Sequence, residues 1–525
     1  MSDTSGSEAE LTDYVEGWAL FFLLVGICLA VFLISLDRTI ITTAIPYITR
    51  EFQSTRDIGW YGSSYLLTAC AFQPVFGRIF LLFSSKWSYL VAVVTFEIGS
   101  LICGVSPNSL TLIIGRAIAG FGSAGILTGS FTIAATSIPP RTRPIHMAIV
   151  GMMFGVGASV GPLFGGVFTD LVTWRWCFYI NLPVGGITIL AFIFCYRSNR
   201  PKNEHRSWMS RFLELDLVGN AILLIAAVML FLALEFTVEG QPWGEARVVG
   251  LLCGSGISAV LFIIWQWWKQ DGALLPPAIV CQRSVAASCV MGFMIYGSLL
   301  SMTFFLPLWF QGVGGDSALT SGVNMIPYFI VNAFGALVAG VFVSIVGYYV
   351  PPCIVGNAIA MVGAGLLTTL TTKTTTAEWA IYEIIVAAGL GLSIQQGFTA
   401  VQTVLPEDEV SIGTAAVVAS QSFGGAVFVS VGNNIFQNEM VRLAKTHNIT
   451  GVDVREVVGA GATAFRDLVR PEILPEFIHI YNEALQQVFY SVIPLVGLAL
   501  VSSFFFEWRS IKVKKPNGER EKTPA

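Results

Sequence analysis

The sequence predicts an all-α, polytopic membrane protein with about fourteen transmembrane helices. Of its 525 residues, 54% are hydrophobic and only 12% are charged, against roughly 25% charged in an ordinary soluble domain. Apolar windows of about 20 residues, the length needed to cross a bilayer core, recur along nearly the whole chain. They are too long and too continuous for the alternating strands of a barrel, and a lipid-exposed segment must satisfy its own backbone hydrogen bonds. A soluble enzyme is therefore excluded.

The predicted spans follow one another along the chain, separated by polar breaks. They cover residues 18–41, 58–82, 87–105, 110–134, 145–169, 174–196, 215–236, 247–268, 285–310, 320–346, 351–370, 379–402, 412–436 and 487–507. Each is long enough to cross the hydrocarbon core at about 1.5 Å of rise per residue.

A charged connector at 197–214 separates six spans from eight, which predicts two six-helix halves and one inserted helix pair. The predicted organisation is a tail at 1–17, a first half at 18–196, the connector at 197–214, the inserted pair at 215–268, a second half at 285–507 with a polar loop at 437–486, and a tail at 508–525. Two-fold repeats of this kind place the substrate site near the midplane, where the halves meet.

An even number of spans puts both termini on one side of the membrane. Arg141 and Arg143, the basic residues of the 197–214 connector and those of the tail at 508–525 fall on that side. The positive-inside rule therefore assigns both termini to the cytoplasm. Asn448 begins an Asn-Ile-Thr sequon in the 437–486 loop, so we expect that loop outside the cytoplasm and Asn448 to be glycosylated.

An unpaired charge inside a span is expensive, so a functional role is the default expectation there, and four charged residues are candidates for such a role. They are Asp37, Glu97, Arg116 and Glu383. Counted from the predicted span ends, Asp37 lies about 6 Å and Arg116 about 9 Å inside the outer surface, so their depths are similar.

Two further charged residues are expected to face outward or to lie at a span end. Arg38 follows Asp37, and successive helix residues point about 100° apart, so we expect Arg38 to face another helix or the outer interface. Asp216 lies at a span end, where a solvated headgroup position is expected.

The fifth span contains glycines with a spacing that allows close helix contact. Gly157, Gly161 and Gly165 are four residues apart and share a helix face, Gly166 follows them, and Pro162 removes a backbone hydrogen bond and bends the helix. Taken alone, this pattern is equally consistent with plain helix packing.

The glycine string resembles the antiporter signature of drug:proton exporters in the major facilitator superfamily. Three further stretches are similar to the fourteen-helix, fungal-type branch of that superfamily. They are Leu36 to Pro46, Gly115 to Gly122 and Trp174 to Gly185. The resemblance implies a secondary transporter that uses Asp37 as the proton site and Arg116 as its coupling partner.

The resemblance also implies a gate at the cytoplasmic end of the second span. Gly77, Arg78 and Lys86 match the gating motif of the superfamily, but Leu81 stands where that motif usually has an aspartate. We expect Arg78 and Lys86 to bind cytoplasmic carboxylates or lipid headgroups instead.

A cavity for amphipathic compounds would be apolar and aromatic, with a few polar groups that orient the substrate. The candidates are Tyr65, Gln73, Gln311, Asn332, Gln395 and Gln396. Trp60 and Trp309 fit the composition, but near span ends they are expected to be interfacial anchors.

No feature of the sequence favours an enzyme or a cofactor. A phosphate-binding Gly-x-x-x-x-Gly-Lys-Ser/Thr loop is absent, so transport is expected to be driven by a gradient. The four histidines have no zinc-ligand spacing and no other metal site is predicted. A net charge of −4 does not suggest nucleic acid. The expected partners are a small-molecule substrate, protons and membrane lipid, and a monomer is expected.

The favoured function is export of small amphipathic organic compounds, such as drugs, toxins or secondary metabolites, across the plasma membrane by proton antiport. The main alternative is a vacuolar transporter of basic amino acids or other small metabolites, which would need more carboxylates in its cavity. A membrane enzyme or a non-transporting sensor would need paired acidic or His-rich motifs or a larger soluble domain, respectively.

Overall fold

The computed structural model describes residues 14–54, 57–196, 207–238, 241–447, 449 and 465–512. Asn448, most of the 197–214 connector and most of both tails lie outside these residues. Fourteen helical segments in the described part are long and apolar enough to cross a membrane. The predicted all-α fold with fourteen spans is confirmed.

The helices are numbered here in chain order. They are α1 (Gly17–Phe52), α2 (Ile58–Leu82), α3 (Ser85–Gly104), α4 (Ser109–Ser137), α5 (Arg143–Leu171), α6 (Trp176–Tyr179), α7 (Asn181–Cys195), α8 (Trp208–Leu213), α9 (Leu217–Val238), α10 (Ala246–Lys269), α11 (Pro277–Val280), α12 (Arg283–Trp309), α13 (Ala318–Asn324), α14 (Ile326–Val346), α15 (Val350–Leu367), α16 (Thr376–Ile394), α17 (Gln396–Val404), α18 (Val410–Thr446), α19 (Phe465–Leu468) and α20 (Leu474–Ser503). Four spans combine two consecutive helices: α6 with α7, α8 with α9, α13 with α14, and α16 with α17.

The helices pack in two groups that meet along two seams. In the N-terminal group, α1 to α7, the main contacts are α1 with α5, α2 with α4 and α3 with α4. In the C-terminal group, α12 to α20, they are α12 with α18, α15 with α16 and α14 with α16. The seams are α2 against α18 and α5 against α14. The inserted helices α9 and α10 pack on each other, and α9 contacts α2 and α18.

Backbone contacts bring both ends of the described chain to one end of the bundle, called here the terminal face. The Val15 amide donates to Ser137 O at the end of α4, at 3.1 Å. The Ile511 amide donates to Gly347 O, between α14 and α15, at 2.9 Å. The opposite end of the bundle is called the far face.

The predicted bounds of the polar loop, 437–486, are wrong at both ends, because helices extend into it. Helix α18 continues to Thr446, and α20 already begins at Leu474. Both extensions are amphipathic, and their buried residues recur at helical spacing, at Met440, Leu443 and Ala444 in α18 and at Phe477, Ile480 and Tyr481 in α20. A hydropathy window averages such a stripe with its polar neighbours and so reads the whole segment as a loop.

Asp216 corrects a second expectation, because it is buried and bonded rather than solvated. Its side chain is fully buried at the junction of α8 and α9. Oδ1 accepts hydrogen bonds from the Gly219 amide, Trp265 Nε1 and Lys269 Nζ at 2.9–3.1 Å, and Oδ2 accepts one from the Leu274 amide at 2.8 Å. One carboxylate thus joins the start of α9 to the end of α10 and the connector that follows.

The same connector is bonded to α2. Arg78 Nε donates to Ala273 O at 2.7 Å, and its Nη2 donates to Asp271 O and Ala273 O. The inserted helix pair is therefore fixed to the N-terminal group at the terminal face.

We expect Asp216→Ala to lower the free energy of unfolding by about 2 kcal/mol, because it removes the acceptor of four hydrogen bonds and leaves the Lys269 ammonium unpaired. Thermal unfolding of the purified protein in detergent measures the loss. Asp271→Ala is the matched control, since its exposed carboxylate lies in the same connector. Equal stabilities of the two variants would contradict the role given to Asp216.

Candidate transport site

Asp37 of α1 and Arg116 of α4 form an ion pair inside the N-terminal group. Arg116 Nη1 lies 2.5 Å from Asp37 Oδ2, and the two side chains are 1% and 0% exposed. Arg116 Nε donates to Tyr61 O of α2 at 2.9 Å. The two charges neutralise each other where neither is hydrated, so the pair constrains α1, α2 and α4 together.

Asn181, the first residue of α7, completes the coordination of Asp37. Its Nδ2 donates to Asp37 Oδ1 at 3.1 Å and to Ser100 Oγ of α3 at 3.1 Å. Both carboxylate oxygens of Asp37 therefore accept a hydrogen bond. Sequence reasoning gave Asn181 no role, although an amide at the start of an apolar helix was a usable signal.

Arg38 points into the bundle rather than toward the outer interface. Its guanidinium carbon lies 5.6 Å from the ring centre of Tyr65 on α2 and 5.5 Å from that of Phe154 on α5. Nε and Nη2 are buried and have no hydrogen-bond partner among the described residues. The guanidinium of Arg116 lies over the same Tyr65 ring, at 4.4 Å. Two cations therefore share one aromatic neighbour.

The glycines of α5 allow its backbone to lie directly against α1. A Cβ at Gly157 would lie 2.6 Å from Phe32 O, and one at Gly165 would lie 2.7 Å from Ile40 O. A Cβ at Gly161 would collide with the Thr39 hydroxyl, whereas a Cβ at Gly166 has nothing within 4 Å. Gly166 is thus not part of this contact.

The two helix groups are tightly packed near the terminal face. A Cβ at Gly77 of α2 would lie 2.5 Å from Ala415 Cβ of α18, and one at Gly340 of α14 would lie 2.8 Å from Pro144 O of α5. Phe131 of α4 stacks on Phe398 of α17, with ring centres 4.1 Å apart.

The α5 seam is looser away from the terminal face. A Cβ at Gly155 or at Gly322 would come no closer than 4.0 Å to the facing group, at Phe329 and Leu163 respectively. The described structure is therefore closed at the terminal face.

The predicted gate residues lie in this closed region, but they bond backbone carbonyls rather than carboxylates. Arg78 is buried and donates to the connector after α10, as described above. Lys86 Nζ donates to Ile193 O of α7 at 2.7 Å. These bonds hold helix ends together within or beside the N-terminal group.

The six predicted cavity residues do not lie in one place. Gln73 donates to Ser422 Oγ of α18 at 2.9 Å and so bridges the two groups. Tyr65 lies at the ion pair, and Gln395 approaches Gly151 of α5. The other three bond within the C-terminal group: Asn332 to Ala387 O, Gln311 to Ser321 Oγ and Gln396 to Leu392 O.

Two other carboxylates lie inside the spans. Glu97 of α3 is 8% exposed and Glu383 of α16 is fully buried. All four of their oxygens are buried without a hydrogen-bond partner among the described residues. Asp37 differs from both because it has two side-chain hydrogen-bond partners, Asn181 and the cation Arg116.

Residues 27–429 match the Major Facilitator Superfamily. The chain belongs to this superfamily. The MFS-type efflux pump MFS1 of Arthroderma benhamiae is 41% identical over 515 residues, covering 98% of this chain and 96% of the relative. The efflux pump aflT of Aspergillus parasiticus is 40% identical over 506 residues, covering 96% of this chain and 98% of the relative.

The same fold is present in a solved structure of far lower sequence identity. The proton:xylose symporter XylE is 15% identical, with a TM-score of 0.56, and the match covers 86% of this chain and 96% of that protein. This likeness concerns the fold alone. The protein is thus a multi-pass membrane transporter of the Major Facilitator Superfamily.

In this superfamily member, Gly157→Leu should sharply reduce export, because the side chain meets the α1 backbone and overpacking costs about 1–3 kcal/mol. We expect the same direction for Gly161→Leu and, through loss of the bend, for Pro162→Leu. Gly166→Leu, on the same helix but facing open space, should retain export. The measurement is the resistance of cells to a toxic compound that the wild-type protein exports, with each variant expressed at equal abundance. Equal resistance for Gly157→Leu and Gly166→Leu would refute the contact.

Proposed function

We propose that this protein exports small amphipathic organic compounds, such as drugs, toxins or secondary metabolites, by proton antiport. The observation that carries the proposal is the buried ion pair of Asp37 and Arg116, with Asn181 on the second carboxylate oxygen. Relatives about 41% identical over nearly their full length are named efflux pumps, which supports the direction of transport.

The ion pair suits Asp37 for carrying a proton. While Arg116 is in contact, the carboxylate remains charged. If a movement of α4 relative to α1 separates the two, the carboxylate is left in a medium of low dielectric constant and binds a proton. Return of Arg116 releases that proton. The two positions of Arg116 must then occur in states that open to opposite sides of the membrane.

Alternating access follows from the two seams between the groups. We propose that the N-terminal and C-terminal groups act as the two halves of the transporter and rock about the α2–α18 and α5–α14 seams. Tight packing at Gly77 and Gly340 closes the terminal face, and separating these contacts would open it. The bend at Pro162 gives α5 a place to flex while the rest of α5 stays against α1.

We further propose that the terminal face is cytoplasmic and that the protein acts as a monomer in the plasma membrane. Arg141 and Arg143, in the connector from α4 to α5, lie at this face and agree with the positive-inside rule. Names of relatives as efflux pumps favour the plasma membrane over the vacuole. Imaging of a fluorescently tagged protein distinguishes the two membranes.

A carrier of basic amino acids is the weaker candidate. Such a cargo needs unpaired carboxylates where the groups meet. Among the described residues, Arg38 lies next to the ion pair and against Phe154 of α5, and its buried Nε and Nη2 have no hydrogen-bond partner. A basic cargo would be repelled there.

Asp37→Asn should leave a folded protein and abolish transport driven by a pH gradient, because the amide keeps the shape of the carboxylate but cannot carry a proton. Its single oxygen can accept from Arg116 or from Asn181, but not from both. Uptake into proteoliposomes, for a compound identified by screening, measures transport under an imposed gradient. Glu439→Gln is the control, since it neutralises a carboxylate of an outlying ion pair with Arg442. Gradient-driven transport by Asp37→Asn with an unchanged pH dependence would exclude Asp37 and direct attention to Glu97 or Glu383.

Arg116→Ala should both abolish transport and lower stability, because it leaves the Asp37 carboxylate buried without a cation, at a cost of about 3–5 kcal/mol. In the double variant Asp37→Asn/Arg116→Ala the loss of stability should be smaller, since no charge remains unpaired. Thermal unfolding of the three variants measures this coupling. Additive losses would show that the two side chains do not act as a pair.

Gly77→Leu should favour the state that is open at the terminal face, because the new side chain cannot fit against Ala415. Thr414 is fully buried beside this contact, so Thr414→Cys should react slowly with a water-soluble maleimide and faster when Gly77→Leu is also present. Mass spectrometry of the labelled peptide separates this cysteine from the nine native ones. Equal labelling rates would contradict the assignment of Gly77 to the gate.

A further inference from the structure

Among the described residues, the buried Nε and Nη2 atoms of Arg38 have no hydrogen-bond partner. We propose that Arg38, walled by Tyr65, Phe154 and Tyr296, binds an anionic oxygen group of the substrate, and that the exported compounds are aromatic or otherwise planar organic acids. This inference rests on the proposed export function and adds the chemical class of its substrate.

The unpartnered atoms of Arg38 form the edge of a guanidinium that recognises carboxylates. Nε and Nη2 carry parallel N–H bonds on one side of the planar group, and a carboxylate accepts both at once. Both atoms are buried and neither has a hydrogen-bond partner among the described residues. An oxygen pair supplied by a ligand would satisfy both donors.

Nε and Nη2 of Arg38 do not bond the neighbouring carboxylate of Asp37. Asp37 uses Oδ2 for Arg116 and Oδ1 for Asn181, and its side chain leaves α1 about 100° away from that of Arg38. Arg116 is paired with Asp37, whereas the buried Nε and Nη2 of Arg38 have no hydrogen-bond partner among the described residues. Such a charge inside a membrane protein is costly and marks a site for a substrate or an ion.

Aromatic rings from two helices contact the guanidinium, and a ring from a third helix lies beside them. The guanidinium carbon lies 5.6 Å from the ring centre of Tyr65 and 5.5 Å from that of Phe154. The ring centre of Phe154 lies 6.2 Å from that of Tyr296 on α12. These faces suit a flat, apolar body attached to the anionic group.

The position of the cluster fits a substrate site. Tyr296 belongs to the C-terminal group and the other three residues belong to the N-terminal group, so a ligand here contacts both groups. Arg38, Phe154 and Tyr296 each keep part of their surface accessible, although Asp37, Tyr65 and Ile295 next to them are fully buried. The accessible surface therefore lies within the bundle, where the groups meet.

The test compares two probes that differ only in charge, 4-(1-pyrenyl)butanoate and its primary amide. Binding to the purified full-length protein is measured by energy transfer from its 13 tryptophans to pyrene. Wild-type protein should bind the carboxylate about tenfold or more tightly than the amide, the factor expected for charge-assisted hydrogen bonds. Arg38→Gln should abolish this preference. The affinity for the amide should change by no more than about twofold.

Two further variants separate charge, geometry and folding. Arg38→Lys keeps the charge but loses the paired donors, so it should retain only part of the preference. Arg50→Gln makes the same chemical change at an exposed position of α1 and should retain all of it. A monodisperse elution profile shows that each variant is folded.

Equal affinity of wild-type protein for the two probes, or a preference that survives in Arg38→Gln, would overturn the site. The proposed function is tested independently by gradient-driven transport in proteoliposomes. A carboxylate preference that depends on Arg38 in a protein without such transport supports the site and refutes proton antiport. Gradient-driven transport without the preference refutes the site and leaves antiport standing.

Discussion

The burial of Asp37 against Arg116 constrains the rest of the N-terminal group. Neither charge is hydrated, so each must keep its partner within hydrogen-bond distance, and the remaining bonds reach Tyr61 on α2 and Asn181 on α7. These bonds fix how α1, α2, α4 and α7 are rotated about their axes at the depth of the ion pair. A buried ion pair rarely adds net stability compared with apolar side chains. Its presence here agrees with the proposed role of Asp37 as a proton carrier.

The close contact of α1 with α5 complements that constraint. The backbone of α5 lies against the face of α1 that carries Phe32 and Ile40, because Gly157 and Gly165 have no side chains there. Helix α1 is therefore held on one side by backbone packing and on another by the ion pair. In the proposed mechanism, a displacement of α5 during opening would be transmitted to α1, and so to the distance between Asp37 and Arg116.

Most of the fold was predictable because a bilayer makes one variable, apolar length, decisive. The length of an apolar run does not detect helix ends that are amphipathic. The ends of α18 and α20 were assigned to a loop for this reason. The similar depth of Asp37 and Arg116 could also be predicted, because the rise per residue of an α-helix is constant. The environments of Asp216, Arg38 and Asn181 were not readable, because each depends on which distant helix lies opposite. No periodicity along one helix contains that information.

The shared ring of Tyr65 offers a way to couple the proposed proton and anion sites. Electrostatic attraction alone favours binding the proton and the anion together, since each offsets the charge of the other. Antiport requires the opposite, so packing must outweigh that attraction. In the proposed mechanism, a substrate held against Tyr65 would keep the ring beneath Arg116, and Arg116 would then stay on Asp37 and exclude the proton. Protonation of Asp37 would release Arg116 from this ring, which is also one wall of the proposed anion site. A negative interior would favour both the exit of an anion and the entry of a proton. The membrane potential contributes about 2.3 kcal/mol per charge per 100 mV to each movement.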